Sequence, residues 1–374
     1  MTTHDPRRLA WAYLSRVAQG PHRPVVDHAA AHGPESTAEA VRAGGLGERL
    51  AVRAHIDTAA ADLDHIAALG GRLITPDDDE WPAWRFLGFD GSGLSAGVDT
   101  CPPIALWALG TQPVDAVTER SVSIVGTRAS SPYGDHVTAE ISADLALDGW
   151  TIISGAAFGI DAAAHRAALG VEGTTMAVLA CGVDRAYPAG HSRLLRQIAA
   201  RGLVLSEYAP GTTPAKHRFL ARNRLVAALG SAVVVVEAGW RSGARNTAAW
   251  ATKLGRPVLA VPGPVTSPTS TGCHRMIRDG EAVLVSSSHD VVAEAGALGS
   301  TEESRPDLFR ETDALSETAL LIYDALPATG SLSSRELSEN SGVPLSKVRA
   351  SLPVLEMEGF VGSDETGWFR VVRG

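Results

Sequence analysis

Between residues 121 and 285, short apolar runs alternate with longer segments of helical pattern, and this alternation restricts the chain to few folds. The runs are almost continuously apolar, so both faces of each strand should be buried. Strands of this kind, joined by helices, form a parallel sheet with helices on both faces. The sequence therefore predicts an α/β fold with a doubly wound, Rossmann-like core. The predicted strands are SVSIVG (121–126), TIISG (151–155), TTMAVLA (174–180), LVLSE (203–207), AVVVVEA (232–238), PVLAVPG (257–263) and AVLV (282–285).

The segments around this core differ from it in composition. Residues 1–72 have helical apolar spacing with Gly stops and predict a small helical domain of the SAM or helix-hairpin-helix type. Residues 73–118 are rich in Pro, Gly and Asp and predict an irregular connector. The core at 119–296 contains the whole alternating pattern, so we expect it to fold by itself. A polar linker at 297–312 then leads to 313–374, where three helical patterns and two short strands follow the order of a winged helix.

Charge is distributed unevenly along the chain. The net charge is −9, yet residues 120–290 hold 17 Lys and Arg against 12 Asp and Glu, while both flanks are acidic. An anionic partner would be attracted to this central part. Its densest basic segment, KHRFLARNR (216–224), contains no acid. A solvated helix face is one interpretation. However, Phe219 among cations at a sheet edge is typical of surfaces on which unpaired bases stack.

Several predicted strands end in turns of small residues. Such turns, placed before a helix, let backbone N–H groups approach an anion, and the helix dipole strengthens the attraction. None of them is a G-x-G-x-x-G or Walker A loop, and each alone could be an ordinary tight turn. Together at one sheet edge they predict a phosphate site. The residues are Gly126, Thr127 and Arg128 after the first strand, Gly155 after the second, and Ser242, Gly243 and Arg245 after the fifth.

The residues favour binding over catalysis. Asp161 and His165 lie four residues apart on one predicted helix, as a capping acid and a packing histidine would. Ser154 has no evident base, and no Cys or His cluster has the spacing of metal ligands. We therefore expect a non-enzymatic protein without cofactor or metal. Glu237, at the end of an apolar strand, is expected to be partly buried and to hold a loop through hydrogen bonds.

The chain also lacks the apolar segments that direct a protein to a membrane. No run approaches the roughly 18 apolar residues of a membrane helix, and the N-terminal residues do not resemble a secretory signal. We expect a cytoplasmic protein with no membrane partner.

Motifs across residues 120–295 resemble the DNA-processing protein A (DprA) family and occur in that family's order. They are SIVGTR with SPYG, SGAAFGIDAAAH, ACGVDRAYP, LSEYAPGTTPAKHRFLARNR, VVVEAGWRSGARNT and AVPGPVTSPTSTGCHRMIRDG. The resemblance implies a Rossmann-like core that binds single-stranded DNA, forms homodimers and loads the RecA recombinase during natural transformation. Many members also carry an N-terminal helical domain and a C-terminal winged helix.

The resemblance further implies which residues contact DNA. By position, the family's DNA-contacting residues correspond to Gly126, Thr127, Arg128, Lys216, Phe219, Arg222, Asn223, Arg224, Ser242 and Gly243. Gly155 and Arg245 complete the predicted site. The chain departs from the family at Phe158, where many members have Arg, and at Arg245 and Asn246, where apolar residues are usual.

Two other functions are compatible with parts of the sequence. A Rossmann-like nucleotide enzyme of the phosphoribohydrolase type would carry a P-G-G-x-G-T-x-x-E loop. Here the region reads EAGWRSGARNTAAW, with no acid after Thr247, and residues 216–256 hold eight Lys and Arg, more than one nucleotide requires. A duplex reader acting through the winged helix should be basic, yet residues 313–374 hold five cations against nine acids.

Overall fold

The computed structural model consists of two units, Met1–Thr301 and Glu302–Gly374. The residues that the structure describes are 4–90, 100–240, 242–296, 315–327, 330–364 and 366–371. The predicted linker at 297–312 lies outside them.

Helices and strands alternate through the first unit. The local sequence explains several boundaries: α1 begins where Asp5 accepts a hydrogen bond from the Arg7 N–H, and α7 begins where the Ser131 hydroxyl accepts from the Gly134 N–H. The elements are α1 (Pro6–Ala18), α2 (Arg23–Arg42), α3 (Glu48–Ala51), α4 (Ala59–Ala68), β1 (Gly71–Ile74), α5 (Ala83–Phe86), β2 (Leu106–Leu109), α6 (Val114–Glu119), β3 (Ser121–Val125), α7 (Pro132–Leu147), β4 (Thr151–Ser154), α8 (Ile160–Gly170), β5 (Thr175–Val178), α9 (Ser192–Arg201), β6 (Leu203–Ser206), α10 (Lys216–Leu229), β7 (Val233–Val235), α11 (Ala244–Lys253), β8 (Val258–Ala260), α12 (Thr271–Arg278), β9 (Val283–Leu284) and α13 (Ser288–Ala295).

The strands form one sheet in the order β1-β2-β6-β5-β4-β3-β7-β8-β9. From β6 to β9 every pairing is parallel. All the strands predicted between residues 121 and 285 are present, and the predicted α/β class is confirmed. The strand order reverses at β3, which pairs with β4 on one side and with β7 on the other. Ligands of doubly wound sheets bind at the carboxyl ends of the strands beside such a reversal.

The segment 73–118 was predicted to be an irregular connector, but it contains the second half of β1 and all of β2, so that prediction is wrong for residues 73–74 and 106–109. β1 pairs antiparallel with β2, and β2 pairs antiparallel with β6. Trp107, within β2, is fully buried, and its indole N–H donates to Ser15 Oγ at 3.0 Å. Both strands are short and lie far apart in the sequence, so local patterns did not reveal their pairing.

The N-terminal helices are present as predicted, but they pack against the sheet instead of forming a separate core. α10, α11 and α12 cover one face of the sheet. α7, α8 and α13 cover the other face. Residues of α1, α2 and α4 join a hydrophobic cluster with α9 and with Ala177 and Val204 of the sheet. Part of the hydrophobic contact of residues 119–296 comes from outside that range, and the folding of these residues by themselves stays a prediction.

The second unit contains three helices followed by a two-stranded antiparallel pair, the order predicted from the sequence. The elements are α14 (Glu317–Asp324), α15 (Ser334–Ser341), α16 (Leu345–Met357), β10 (Val361–Ser363) and β11 (Trp368–Arg370). Ile322, Leu337 and Leu352 belong to its own buried cluster. The winged-helix assignment and the domain boundaries stay predictions. Across both units, the described helices are all too short or too polar to cross a membrane.

Candidate nucleic-acid interface

A cavity of about 410 Å³ lies beside the carboxyl ends of β3 and β4, next to α10 and the first turn of α11. Most of the site residues predicted from the sequence line it. They are Gly126, Thr127, Arg128, Gly155, Phe219, Arg222, Asn223, Ser242 and Gly243. The turns after strands β3 and β4 and the turn before α11 therefore meet at one place, as the sheet-edge argument predicted.

The turn after β3 is held against the turn after β7. The Thr127 N–H donates to the Glu237 carbonyl at 2.8 Å, and the Thr127 carbonyl accepts from the Ile160 N–H at 3.2 Å. A Cβ at Gly126 would lie 2.5 Å from Ile160 Cγ1, so glycine is needed for this approach. Arg128 follows as an exposed side chain, with its guanidinium carbon 5.4 Å from the centre of the Phe219 ring.

Arg222 lies at the inner end of the cavity and fixes α10 to the sheet. Its Nη1 donates to the Val178 carbonyl at 2.6 Å. A Cβ at Gly155 would overlap this guanidinium, which explains the glycine after β4. Burial lowers the pKa of Arg222, and the charge of Asp161 opposes that change. The Arg222 Nε is buried and has no hydrogen-bond partner among the described residues.

Phe219 is half-buried at the mouth of the cavity, between an aromatic ring and a cation. Its ring centre lies 5.3 Å from that of Tyr187, which is itself 39% exposed. Arg128 approaches from the cavity side. Lys216 is exposed on the first turn of α10, outside the cavity lining, and has no ion-pair partner within the described part of the chain. The arrangement leaves an aromatic ring and unpaired cations together at the surface.

Three predicted site residues, Lys216, Arg224 and Arg245, do not line the cavity, and the ion pairs of the last two disfavour the DNA contacts predicted for them. Arg224 is fully buried, and its Nη2 pairs with Glu207 Oε2 at 2.6 Å. Arg245 pairs with Glu281 at 3.2 Å. The sequence argument treated the basic run as one patch. On a helix, however, Arg222 and Arg224 point about 200° apart, so they cannot share a face.

Glu237 is buried and holds two loops at this edge, which confirms its predicted role. Its Oε1 accepts from the hydroxyls of Ser131 at 2.6 Å and Thr269 at 2.8 Å. Its Oε2 accepts from the Ser131 N–H at 2.9 Å. A Cβ at Gly134 would overlap this carboxylate. Glu237 therefore has a structural role, and its hydrogen bonds hold the loops that contain Ser131 and Thr269.

The surroundings of Asp161 and His165 are those expected of a capping acid and a packing histidine. Asp161 accepts from the Ala157 N–H at 3.2 Å, just before α8. Burial raises its pKa, against the charge of Arg222. His165 is fully buried with Nδ1 2.7 Å from Thr175 Oγ1, and burial lowers its pKa to about 3. Within the described residues, no three His, Cys, Asp or Glu side chains are grouped to hold a metal ion.

Other residues of the site were not predicted as DNA contacts. Tyr187, in the loop after the third core strand, pairs with Phe219, and the ACGVDRAYP motif was the signal that could have identified it. Asn246 accepts a hydrogen bond from the Asn223 amide at 3.1 Å, so this departure from the family pattern links α10 to α11. Phe158, the other departure, is 51% exposed and meets the His191 ring edge-on at 4.5 Å.

Comparison with known proteins relates the whole chain to one family. A family model described as DNA recombination-mediator protein A matches residues 72–296, a range that includes β2 and most of β1. The putative DNA processing protein DprA of Mycobacterium tuberculosis is 48% identical over 373 residues, covering 99% of this chain and 95% of the relative.

Two solved structures of DNA processing protein A resemble this chain in three dimensions. DNA processing protein A from Streptococcus pneumoniae aligns with a TM-score of 0.62 and 31% identity, covering 78% of this chain and 99% of that one. DNA processing protein A from Helicobacter pylori, in a structure concerned with its single-stranded DNA binding mode, aligns with a TM-score of 0.50 and 28% identity. It covers 60% of this chain and 94% of that one.

Proposed function

This chain belongs to the DNA recombination-mediator protein A family, and from that membership we propose that it binds single-stranded DNA and mediates recombination. The observation that carries the proposal is the half-exposed Phe219 ring beside Arg128, at the mouth of a cavity formed by backbone turns. The DNA-binding mode reported for the Helicobacter pylori protein supports it.

In this proposal the Phe219 ring binds a base, and the neighbouring cations bind phosphates. A base that has left a duplex can stack on Phe219, because every base presents a flat face and stacking requires no particular sequence. Arg128 and Lys216 would meet the adjoining phosphates. Inside the cavity, Arg222 and the turn glycines offer N–H donors to one further phosphate. Duplex DNA keeps its bases stacked and offers none to the ring.

We further propose that the protein acts in the cytoplasm as a homodimer that loads RecA onto the bound strand, and that it does so without catalysis of its own. The family resemblance supports the partner and the dimer. The commitment of Glu237 to two loops supports a binding role, since that acid is engaged in structure.

One observation favours a second candidate, a nucleotide enzyme of the phosphoribohydrolase type. Asp161 lines the cavity as a buried acid with a raised pKa, a property found in catalytic acids. Its hydrogen bond from Ala157 and its position beside Arg222 give it a structural role instead. Incubation with nucleoside monophosphates, followed by chromatography of the products, distinguishes the two functions: released free base supports the enzyme.

The test of the main proposal is a fluorescence titration of the full chain with single-stranded and duplex oligonucleotides of equal length. We expect the single strand to bind more tightly. Phe219→Ala should cost about 1–3 kcal/mol of single-strand affinity, with an unchanged salt dependence because no charge is removed. Phe219→Trp should retain most binding.

A melting curve on the same Phe219→Ala sample supplies the control. If this variant loses stability while its affinity per folded molecule stays constant, the ring is a packing residue and stacking is excluded. A preference for duplex in direct competition would contradict the proposed function itself.

A further inference from the structure

The arginines of the N-terminal helices fall into two groups. Those of α1 and α2 face acids: Arg7 with Asp77, Arg8 with Asp78, Arg16 with Asp62, Arg23 with Asp27, and Arg42 with Asp57. Arg49 and Arg53, on and just after α3, have no ion-pair partner among the described residues. In a chain with a net charge of −9, acids are plentiful, so unpaired arginines close together are unusual.

These two arginines line a cavity of about 570 Å³ between the N-terminal helices and α10. His22, His217 and Tyr208 line it as well, and none of the described residues in its lining is acidic. Arg53 donates to the Ala18 carbonyl at 3.2 Å, whereas its Nε is buried without a hydrogen-bond partner in the described part of the chain. The cavity is therefore a basic pocket, and Arg53 in its lining keeps a buried N–H donor without a partner among the described residues.

Electrostatic repulsion within this pocket is not offset by the surrounding protein. Burial lowers the pKa of Arg53, and the charges of Arg49 and Arg218 lower it further. Burial and then Arg53 lower the pKa of His22, whose Nδ1 also has no hydrogen-bond partner among the described atoms. An anion would relieve the repulsion and satisfy the donors. Guanidinium groups suit phosphate, because their planar N–H pairs match its oxygens.

The pocket lies on the opposite side of α10 from the cavity at the sheet edge. His217 and Ala221 face the pocket. Phe219 and Asn223 face the cavity. On a helix, Phe219 is about 200° from His217, so the two sites flank the first turns of α10. The amino-terminal end of the helix lies between them, with Lys216 exposed, and the positive end of a helix dipole attracts an anion.

We propose that this basic pocket is a second subsite for the same DNA strand, which passes from Phe219 around the amino-terminal end of α10 and places its phosphodiester backbone against Arg49 and Arg53. The inference rests on the proposed single-strand binding. The pocket is assigned to backbone and not to a base, because Tyr208, the one Phe, Tyr or Trp among its described lining residues, is 1% exposed and offers no free ring face. A short strand reaches the cavity alone, whereas a longer one reaches both sites.

The test compares oligothymidylates of about 6 and about 20 nucleotides on the full chain, in a salt series. The variant is Arg49→Gln with Arg53→Gln. We expect it to bind the long strand about tenfold more weakly, with a log–log salt slope reduced by about 1.4 for two lost phosphate contacts. Binding of the short strand should not change. Arg42→Gln removes one like charge from the same helices, where Arg42 is paired with Asp57, and should leave both affinities unchanged.

Each other result has a defined meaning. Equal long-strand affinity in the variant and the native protein overturns the second subsite, as does an equal loss on both strands. A short strand that binds the native protein no better than a duplex contradicts single-strand binding itself, whatever Arg49 does. If the double variant unfolds, Arg49→Gln alone decides, because Arg49 is exposed and should show about half the change in slope.

Discussion

Arg222 and Arg224 are two residues apart in the sequence and serve different parts of the molecule. Arg222 reaches the cavity, where its Nε is unused by the described residues. Arg224 is buried against Glu207 at 2.6 Å, with its guanidinium carbon 5.7 Å from the centre of the Phe89 ring. Residue type alone made both appear to be phosphate contacts. The two buried arginines differ in that Arg222 lines the cavity and Arg224 forms an internal ion pair.

Arg224→Ala should destabilise the protein by about 3–5 kcal/mol, because it removes the counter-charge of a buried carboxylate. Denaturation by urea measures the loss. Affinity for single strands, corrected for the folded fraction, should equal that of the native protein. A fall in affinity of the fully folded variant would return Arg224 to the DNA site.

His165 predicts a loss of stability in acid. Its folded pKa is about 3, whereas an unfolded histidine titrates near 6.5. Below pH 6.5 the unfolded chain therefore binds a proton that the folded chain does not, and the free energy of unfolding falls by up to about 1.4 kcal/mol per pH unit until pH 3 is approached. His165→Gln should reduce this pH dependence between pH 6 and 4, measured by urea denaturation. The exposed His136→Gln is the control, and equal slopes in both variants would exclude His165.

At the scale of elements, α10 and the turn after β4 act as a pair. Gly155 allows the Arg222 guanidinium to lie directly against the backbone while it bonds to the Val178 carbonyl at 2.6 Å. Gly243, on the opposite rim of the cavity, has no neighbour within 4 Å of a built Cβ and has a φ of −60°. A methyl group at Gly155 would therefore collide with Arg222, whereas one at Gly243 would meet no neighbouring atom.

Gly155→Ala should force Arg222 from its bond, costing about 1–3 kcal/mol of stability and weakening single-strand binding. Gly243→Ala should stay within about 0.5 kcal/mol of the native protein. Melting curves and titrations on the two variants check the contrast. If Gly155→Ala binds DNA as the native protein does, the contact of Arg222 with the Gly155 backbone is not needed for DNA binding.

The sequence predicted elements well wherever the evidence was local. Every strand between residues 121 and 285 was found because each is a compact apolar run. β1 and β2 were not, since β1 pairs with β2 and β2 pairs with β6, and both pairings join residues that are far apart in the sequence. The turn residues of the site were found because strand ends meet at one edge. The ion pairs of Arg224 and Arg245 were not predicted, because the direction of a side chain depends on helix phase and on acids, such as Glu281, that are distant in the sequence.

At the scale of the whole molecule, the N-terminal helices and the sheet share one hydrophobic cluster. Arg85 adds a polar connection: it is fully buried, and its Nε donates to the Thr118 carbonyl at 2.9 Å while its Nη2 donates to Ser231 Oγ at 2.9 Å. Removal of residues 1–117 would expose the edge of β6 and the apolar face near Leu195.

A fragment of residues 118–296 should therefore unfold at lower urea than one of residues 1–296 and should bind a hydrophobic dye. Circular dichroism with a dye titration makes the comparison. The longer fragment is the control, because it retains β2 and the N-terminal helices. Cooperative unfolding of the short fragment at the same urea concentration would show that the shared cluster contributes little.

The unpaired cations near the first turns of α10 belong to a chain whose net charge is −9. A polyanion that approaches from most directions is repelled, and one that approaches this face is attracted, over a distance of about 8 Å at physiological salt. The electrostatic field therefore favours encounters in which the polyanion approaches this face, before any contact forms. Ionic strength should then act mainly on the rate of capture, while the lifetime of the complex depends on the buried contacts beneath it.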